Sequence, residues 1–437
     1  MTVRSSSPAS RHAGRADAAP RVGLFGLLGQ GNLGNDGSME AVLRYLRTEH
    51  PNVTLDSLCT EPELLTARYG IPAAQLRWYD APRQPPSGMT DVARRYLGIV
   101  LGLGIDAIRT AAWVRRHDAV IVPGMGVLET TVPMRPWKTP YWMFVLCASG
   151  RLLGTQVALV SVGANATQHR LTRSLVKSAV RLAHYRSYRD EVSKEAMQRM
   201  GIDTSKDIIY PDVAFALPMP SGSVQVAGSV GIGVMDYSGD NDDIAQASQL
   251  RANYLEQIKH FGQWLLDDGR AVRLFTSDTA DEPVVQEIAA DLRAHRPDLG
   301  PSWVTAEPAQ TLDELLHQIA PVDTVVATRY HNVLYALLLL KPTLALGYAA
   351  KHEALMANTG LPGFCLPCRS LDAGEMIDRF TDLESRSAQL RPVIMAANNA
   401  KVRLIDQQLA EMSAALFLSA APGGAAHTRS AAETGAR

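Results

Sequence analysis

Short β-branched runs alternate with longer helical patterns along most of the chain, and this alternation constrains the fold more than any other feature. Arg21–Leu27 reads as a strand, followed by a glycine-rich turn and a helix from about Asp36 to Glu49. Further strands are read at Val53–Leu58, Ala119–Val122 and Gln156–Val162, the last followed by a helix over His169–Ala183. Strands that alternate with helices imply parallel sheets with helices on both faces. Pro218–Gly228 is rich in proline, glycine and serine and reads as a linker. The pattern then restarts, with strands at Val230–Met235, Ala271–Phe275, Asp323–Ala327 and Pro342–Gly347. Helices are read over Asp242–Leu266, Glu282–His295, Leu312–Ile319 and, closing the chain, Arg391–Leu416. The expected fold is α/β, with two Rossmann-like domains, 21–220 and 221–417, facing a cleft. The tails 1–20 and 418–437 read as disordered.

At 437 residues the chain is long enough for two hydrophobic cores. A formal net charge of −1 gives no basis for the concentrated basic face that nucleic acid requires, so no nucleic-acid partner is expected. Four cysteines, Cys59, Cys147, Cys365 and Cys368, are too scattered for a disulfide framework and fit a reducing cytoplasm. Cys365 and Cys368 form a single C-x-x-C without a second pair, which reads as two small buried residues rather than half a zinc site, and no metal is expected. The first twenty residues lack the apolar core of a secretory signal. No run of about 18 uninterrupted apolar residues is present, so no membrane span is expected. Tyr96–Ile105 is nonetheless apolar and flanked by Arg94, Arg95, Arg109, Arg115 and Arg116. Burial between sheets is the favoured reading of that helix. The alternative is peripheral contact with the inner face of a membrane.

Chemistry concentrates in the turns. Arg329 and His331 stand two residues apart where the strand Asp323–Ala327 ends, ahead of an apolar helix candidate from Val333 to Leu340. Ligands of open α/β sheets bind at that edge. Arginine offers a planar fork for phosphate or carboxylate, and histidine exchanges a proton near neutral pH. The same pair could simply cap and solvate a turn. Gly29, Gly31 and Gly34 satisfy G-x-G-x-x-G between a strand and a helix, with Asp56 placed as a ribose-binding acid for a dinucleotide. Against that reading, the loop already opens at Gly26 and continues into Asn35 and Asp36, an acid where a pyrophosphate needs bare amides. Gly124 and Gly126 end another strand, Arg189 precedes an N-capping Asp190, Asp212 precedes the linker, and Lys351 and His352 follow the strand at Pro342.

Taken in order, these pieces resemble the polysaccharide pyruvyl transferase family over roughly residues 21–365. They are the opening Gly26–Gly34, the turn Pro123–Gly126, the element Arg189–Ser193 with Met200–Ile202, the segment Asp212–Phe215, Arg329 with His331, and Tyr348 with Lys351. The resemblance implies a fold similar to the glycosyltransferase B architecture. It also implies transfer of a pyruvyl group from phosphoenolpyruvate to a saccharide hydroxyl, forming a ketal in envelope or exopolysaccharide synthesis, with no cofactor. His331 and Arg329 are then the catalytic candidates, with His331 as general acid and Arg329 and Arg189 holding the donor's phosphate and carboxylate. Lys351 adds positive charge, and Gly29, Gly31, Asn32, Asp36, Gly124 and Gly126 are candidate substrate contacts. The acceptor could be free, polymeric or lipid-linked. Many family members read Gly-Asp where this chain reads Gly34-Asn35-Asp36, so Asp36 would have to supply that acid. Competing readings are a nucleotide-sugar glycosyltransferase of the same build, with Glu353 as its ribose-binding acid, a non-catalytic scaffold, and a dehydrogenase.

Overall fold

A computed structural model describes residues 19–79, 88–129, 135–220, 225–239 and 243–417. The expected tails, apart from Ala19 and Pro20, and residues 221–224 of the expected linker lie outside the described residues. The first sheet contains β1 (Arg21–Gly26), β2 (Thr54–Cys59), β3 (Ala73–Gln75), β4 (Ala119–Pro123), β5 (Gln156–Val162), β6 (Tyr185–Tyr188) and β7 (Ile208–Ile209) in the order β3-β2-β1-β4-β5-β6-β7. The second contains β8 (Val230–Gly233), β9 (Val272–Phe275), β10 (Val304–Thr305), β11 (Thr324–Ala327), β12 (Thr343–Gly347) and β13 (Cys365–Pro367) in the order β10-β9-β8-β11-β12-β13. Among the described residues the strands of both sheets pair in parallel. β4 is buried at all five positions, as expected of a strand covered on both faces, which is why it reads as a continuous apolar run. The order reverses between β1 and β4 and again between β8 and β11, and each reversal opens a crevice at the strands' C-terminal ends.

Local chemistry explains where the elements begin. The first helix runs over Leu33–Glu49, earlier than its periodicity predicts, because the Asn32 side chain accepts from the Asn35 N–H and so caps it. The helix after β11 spans Tyr330–Leu338 and takes His331 into its first turn. Edge strands of two or three residues, β3, β7, β10 and β13, are too short to carry an alternation signal.

Two expectations are corrected. The apolar stretch lies in a helix over Met89–Val114 that is not buried between sheets. Leu97, Val100, Leu101 and Ile108 are 60%, 65%, 51% and 71% exposed, while Gly102, Asp106 and Thr110 face inward. The closing helix, Ser387–Phe417, does not belong to the second domain alone. Asn398 donates to Leu337 O at 2.8 Å in the second domain, whereas Gln408 donates to Ser161 Oγ and Ser187 Oγ, both at 2.8 Å, in the first. Tyr210 donates to Glu411 at 2.6 Å near its end.

The two domains also meet directly across the cleft floor. Leu33 N–H donates to Ser277 O at 2.8 Å, Thr279 N–H to Gly31 O at 3.0 Å, and Tyr335 Oη to Leu33 O at 3.0 Å.

Candidate active site

Between the domains lies a cleft of about 850 Å3. Its walls come from segments that follow strands of both sheets, Met125–Glu129 after β4, Asn165–His169 after β5, Arg329–His331 after β11 and Tyr348–Lys351 after β12. That is where doubly wound sheets place ligands. The helices starting at Tyr330 and Ala350 have no side-chain cap, so the first-turn amides beside the cleft keep their partial positive charge.

A chain of charges crosses the cleft from one domain to the other. Arg189, at the end of β6 and only 6% exposed, pairs with Glu129 and approaches Asp212 at 3.4 Å. Its guanidinium also lies 4.6 Å from the centre of the Tyr330 ring of the second domain. Lys351 donates to the other Glu129 oxygen at 3.0 Å, so two cations from different domains grip one carboxylate. Burial alone would raise the Glu129 pKa, but Lys351 and Arg189 outweigh it and hold the carboxyl at about 2. Asp212 sits at the base of this chain, fully buried, accepting from the Ala214 N–H at 3.1 Å. Its pKa is likewise pushed up by burial and pulled further down by His331 and Arg189. His331 Nε2 stands 3.7 Å from Asp212, close enough for ionic attraction but longer than a hydrogen bond. The imidazole lies between the domains, against Gly34 of the first helix.

Several residues singled out from the sequence meet in this cleft, and several do not. His331, Arg329, Arg189, Lys351, Asn32 and Gly126 all line it. Arg329, however, does not present a bare fork. It engages both oxygens of buried Asp281, with Nη2 at 2.9 Å, and reaches Asp278 at 3.2 Å through Nη1. Asn32 is similarly committed, as N-cap and as donor to Asp278 at 3.1 Å. Gly29, Gly31, Asp36 and Gly124 are not among the lining residues. The Gly29 N–H donates to Asp36 at 2.8 Å, and Arg68 closes the other Asp36 oxygen at 3.0 Å, so this acid organises the loop from within. Burial raises its pKa, against the opposing pull of Gly29 and Arg68. Gly31 lies against Thr279 of the other domain and Gly124 against Ser38 and Val213. The dinucleotide pattern is thus used for close approach of protein to protein, and Asp56 is spent on His117 at 2.7 Å and the Trp113 indole at 3.0 Å.

His352, beside Lys351, is buried with its two ring nitrogens near the carbonyls of Ala349 and Thr328. Burial, assisted by Lys351, lowers its pKa to about 3, so it is neutral and serves as packing. Sequence reasoning missed Glu129 entirely. It lies three residues beyond Gly126 in a turn without periodicity, and its partners are 60 and 222 residues away in the chain. Among the described residues no group of His, Cys, Asp and Glu is arranged to hold a metal ion.

Several solved structures share the fold. A protein of Listeria monocytogenes described as a UDP-N-acetylglucosamine 2-epimerase superposes with a TM-score of 0.59 at 11% identity, covering 91% of this chain and 96% of that one. The UDP-GlcNAc 2-epimerase of Neisseria meningitidis gives 0.53 at 13% identity, with 90% and 99% covered. A glycosyltransferase of Rickettsia africae gives 0.53 at 10% identity, with 91% and 99% covered. At such identities the likeness is one of fold, and it bears out the two Rossmann-like domains of the glycosyltransferase B type. No curated protein matches the sequence. The family model for polysaccharide pyruvyl transferase matches residues 32–349, which takes in Glu129, Arg189, Asp212, Arg329 and His331. This chain belongs to the polysaccharide pyruvyl transferase family.

Proposed function

We propose that the protein transfers a pyruvyl group from phosphoenolpyruvate to two hydroxyls of a saccharide, forming a cyclic ketal and releasing phosphate. Two C–O bonds form at C2 of the donor and the bond from C2 to the phosphate oxygen breaks. One hydroxyl proton is balanced by the proton delivered to C3, which becomes the methyl group, and the other is balanced on phosphate. His331 is the general acid for C3, with the Asp212 carboxylate 3.7 Å from its Nε2. Charge develops at C2 in an oxocarbenium-like centre, which the first hydroxyl attacks.

The observation that carries this reading is the Glu129 carboxylate gripped by Arg189 and Lys351 in the cleft. Two converging cations with an aromatic floor form a site for a small carboxylate or phosphate. Glu129 occupies the position that the donor's anionic group takes when it binds, so the resting site is closed by an internal anion. The uncapped starts of the helices at Tyr330 and Ala350 add positive potential for the second anionic group of the donor. Arg329 positions the turn through Asp281 rather than contacting the donor.

Thermal-shift titration with phosphoenolpyruvate, run beside phosphate, UDP-glucose, GDP-mannose and NAD, tests the donor. At 100 times its dissociation constant a ligand adds about 2.7 kcal/mol of stability. Stabilisation by phosphoenolpyruvate that disappears in Lys351→Ala is expected. Stabilisation by a sugar nucleotide alone would refute the donor assignment and favour a glycosyltransferase.

A further inference from the structure

The helix Met89–Val114 has inverted polarity. Asp106 and Thr110 face inward, and Asp106 accepts from the Trp78 N–H at 2.7 Å. Leu97, Val100, Leu101, Gly104 and Ile108 follow one outer stripe at helical spacing, and that stripe holds no charged side chain. A helix of an ordinary water-facing surface carries the opposite pattern, and a continuous exposed apolar stripe marks an interaction face. By length and composition the helix could cross a membrane. It is instead tied to its own domain from its middle to its end, through Gly98 and Gly102 against the Tyr79 side chain, through Asp106, through Tyr141 Oη donating to Leu103 O at 2.7 Å, and through the Trp113 indole donating to Asp56 at 3.0 Å. A helix held that way presents its outer face to a surface lying parallel to it.

The ends of the stripe are cationic, with Arg94 and Arg95 at one and Arg115 and Arg116 at the other. Residues 89–116 hold five arginines against two aspartates, Asp91 and Asp106, in a chain whose net charge is −1. Tyr96, 62% exposed, adjoins the stripe at its first leucine. Basic and aromatic side chains bordering an apolar face are the set that sits at the headgroup level of a bilayer.

We propose that this face docks on an anionic phospholipid membrane, with the helix in the plane of the interface. The proposal stands independently of the donor assignment. A second copy of the chain is the weaker occupant, because pairing two such stripes in either direction sets arginine-bearing ends against each other.

Flotation of the full chain with vesicles of phosphatidylcholine alone, and of phosphatidylcholine with 30% phosphatidylglycerol (roughly the anionic content that makes each surface cation count), tests it. Binding to the anionic vesicles that weakens at high salt is expected. Each arginine contributes roughly 5-fold, so Arg94→Gln with Arg115→Gln and Arg116→Gln should lower partitioning on the order of 100-fold. Leu97→Ser with Val100→Ser and Ile108→Ser should abolish binding. These side chains are exposed, and an unchanged melting temperature in both variants shows that the fold is intact. Absence of flotation overturns the proposal, as does flotation that neither variant alters. A wild-type dimer that the serine variant converts to monomer, without vesicle binding, assigns the face to a second copy and also overturns it.

Discussion

Replacing Gly34 by alanine sets two effects of known sign against each other. Gly34 lies in the first turn of the helix Leu33–Glu49, where alanine normally stabilises by roughly 0.5–1 kcal/mol through reduced backbone freedom in the unfolded chain. Here, however, the His331 ring of the opposite domain occupies the space. A Cβ at position 34 would meet Nδ1 at 2.0 Å, Cγ at 2.3 Å and Cε1 at 2.5 Å. Ordinary contact begins at 3.4 Å, so the imidazole must recede by about 1.4 Å or the domains must part. Overpacking of this kind costs about 1–3 kcal/mol, which exceeds the propensity gain. Net destabilisation should therefore be small, about 0–2 kcal/mol. The effect on rate is larger, since displacing a catalytic group by 1 Å costs on the order of 100-fold.

The assay is phosphate release from phosphoenolpyruvate with a saccharide acceptor, read beside a urea melt. Gly34→Ala should lower kcat about 100-fold with nearly native stability. In a His331→Ala background the obstructing ring is gone, and the same alanine should become stabilising by roughly 0.5–1 kcal/mol, a reversal of sign that a double-mutant cycle reads directly. Full activity of Gly34→Ala, or equal destabilisation in both backgrounds, would refute the reasoning.

His331→Ala alone should reduce kcat by about 10²–10⁴ with a smaller effect on donor binding, and a loss under tenfold in the same assay would remove the histidine from proton transfer. Glu129→Gln should destabilise the protein at neutral pH yet lower the KM for phosphoenolpyruvate, because it frees Arg189 and Lys351 for the donor. An unchanged or higher KM would show that Glu129 does not hold the donor's place. The stability term has a definite pH sign. The folded pKa of Glu129, about 2, lies below its ordinary value of 4.5, so the native state favours the ionised form. The difference between wild type and variant, about 3 kcal/mol, should be fully present above roughly pH 5. It should shrink as pH falls towards 2 in urea melts at stepped pH. Arg329→Lys should cost stability, about 1–3 kcal/mol, because an ammonium cannot fork to both Asp281 oxygens. It should change the donor KM less than threefold in initial-rate assays, since the native fork is already spent on the protein.

How much of the site is legible in sequence depends on how far apart its partners lie. The parallel strands and the turns at their ends are local patterns, so β1, β5, β11 and β12, with Arg189 and His331 just beyond β6 and β11, can be located from periodicity alone. What approaches a turn is a tertiary fact. The pattern Gly29-x-Gly31-x-x-Gly34 announces missing side chains, and pyrophosphate is one occupant of such space. In this fold the occupants are Thr279 and His331, each some 250–300 residues distant and in the other domain. Glu129 was invisible for the same reason, as its two cations come from different domains. Asp36 and Arg329 misled in the opposite sense, because charged groups that look available in a turn are satisfied by Arg68 and by Asp281. The helix Met89–Val114 shows a further limit. Leu97, Val100, Leu101 and Ile108 carry the same periodicity whether that stripe meets a protein core or a lipid surface. Only the opposite face decides between them, and there Asp106 and Thr110 are already turned into the protein. The apolar stripe is therefore the face left for an outside partner.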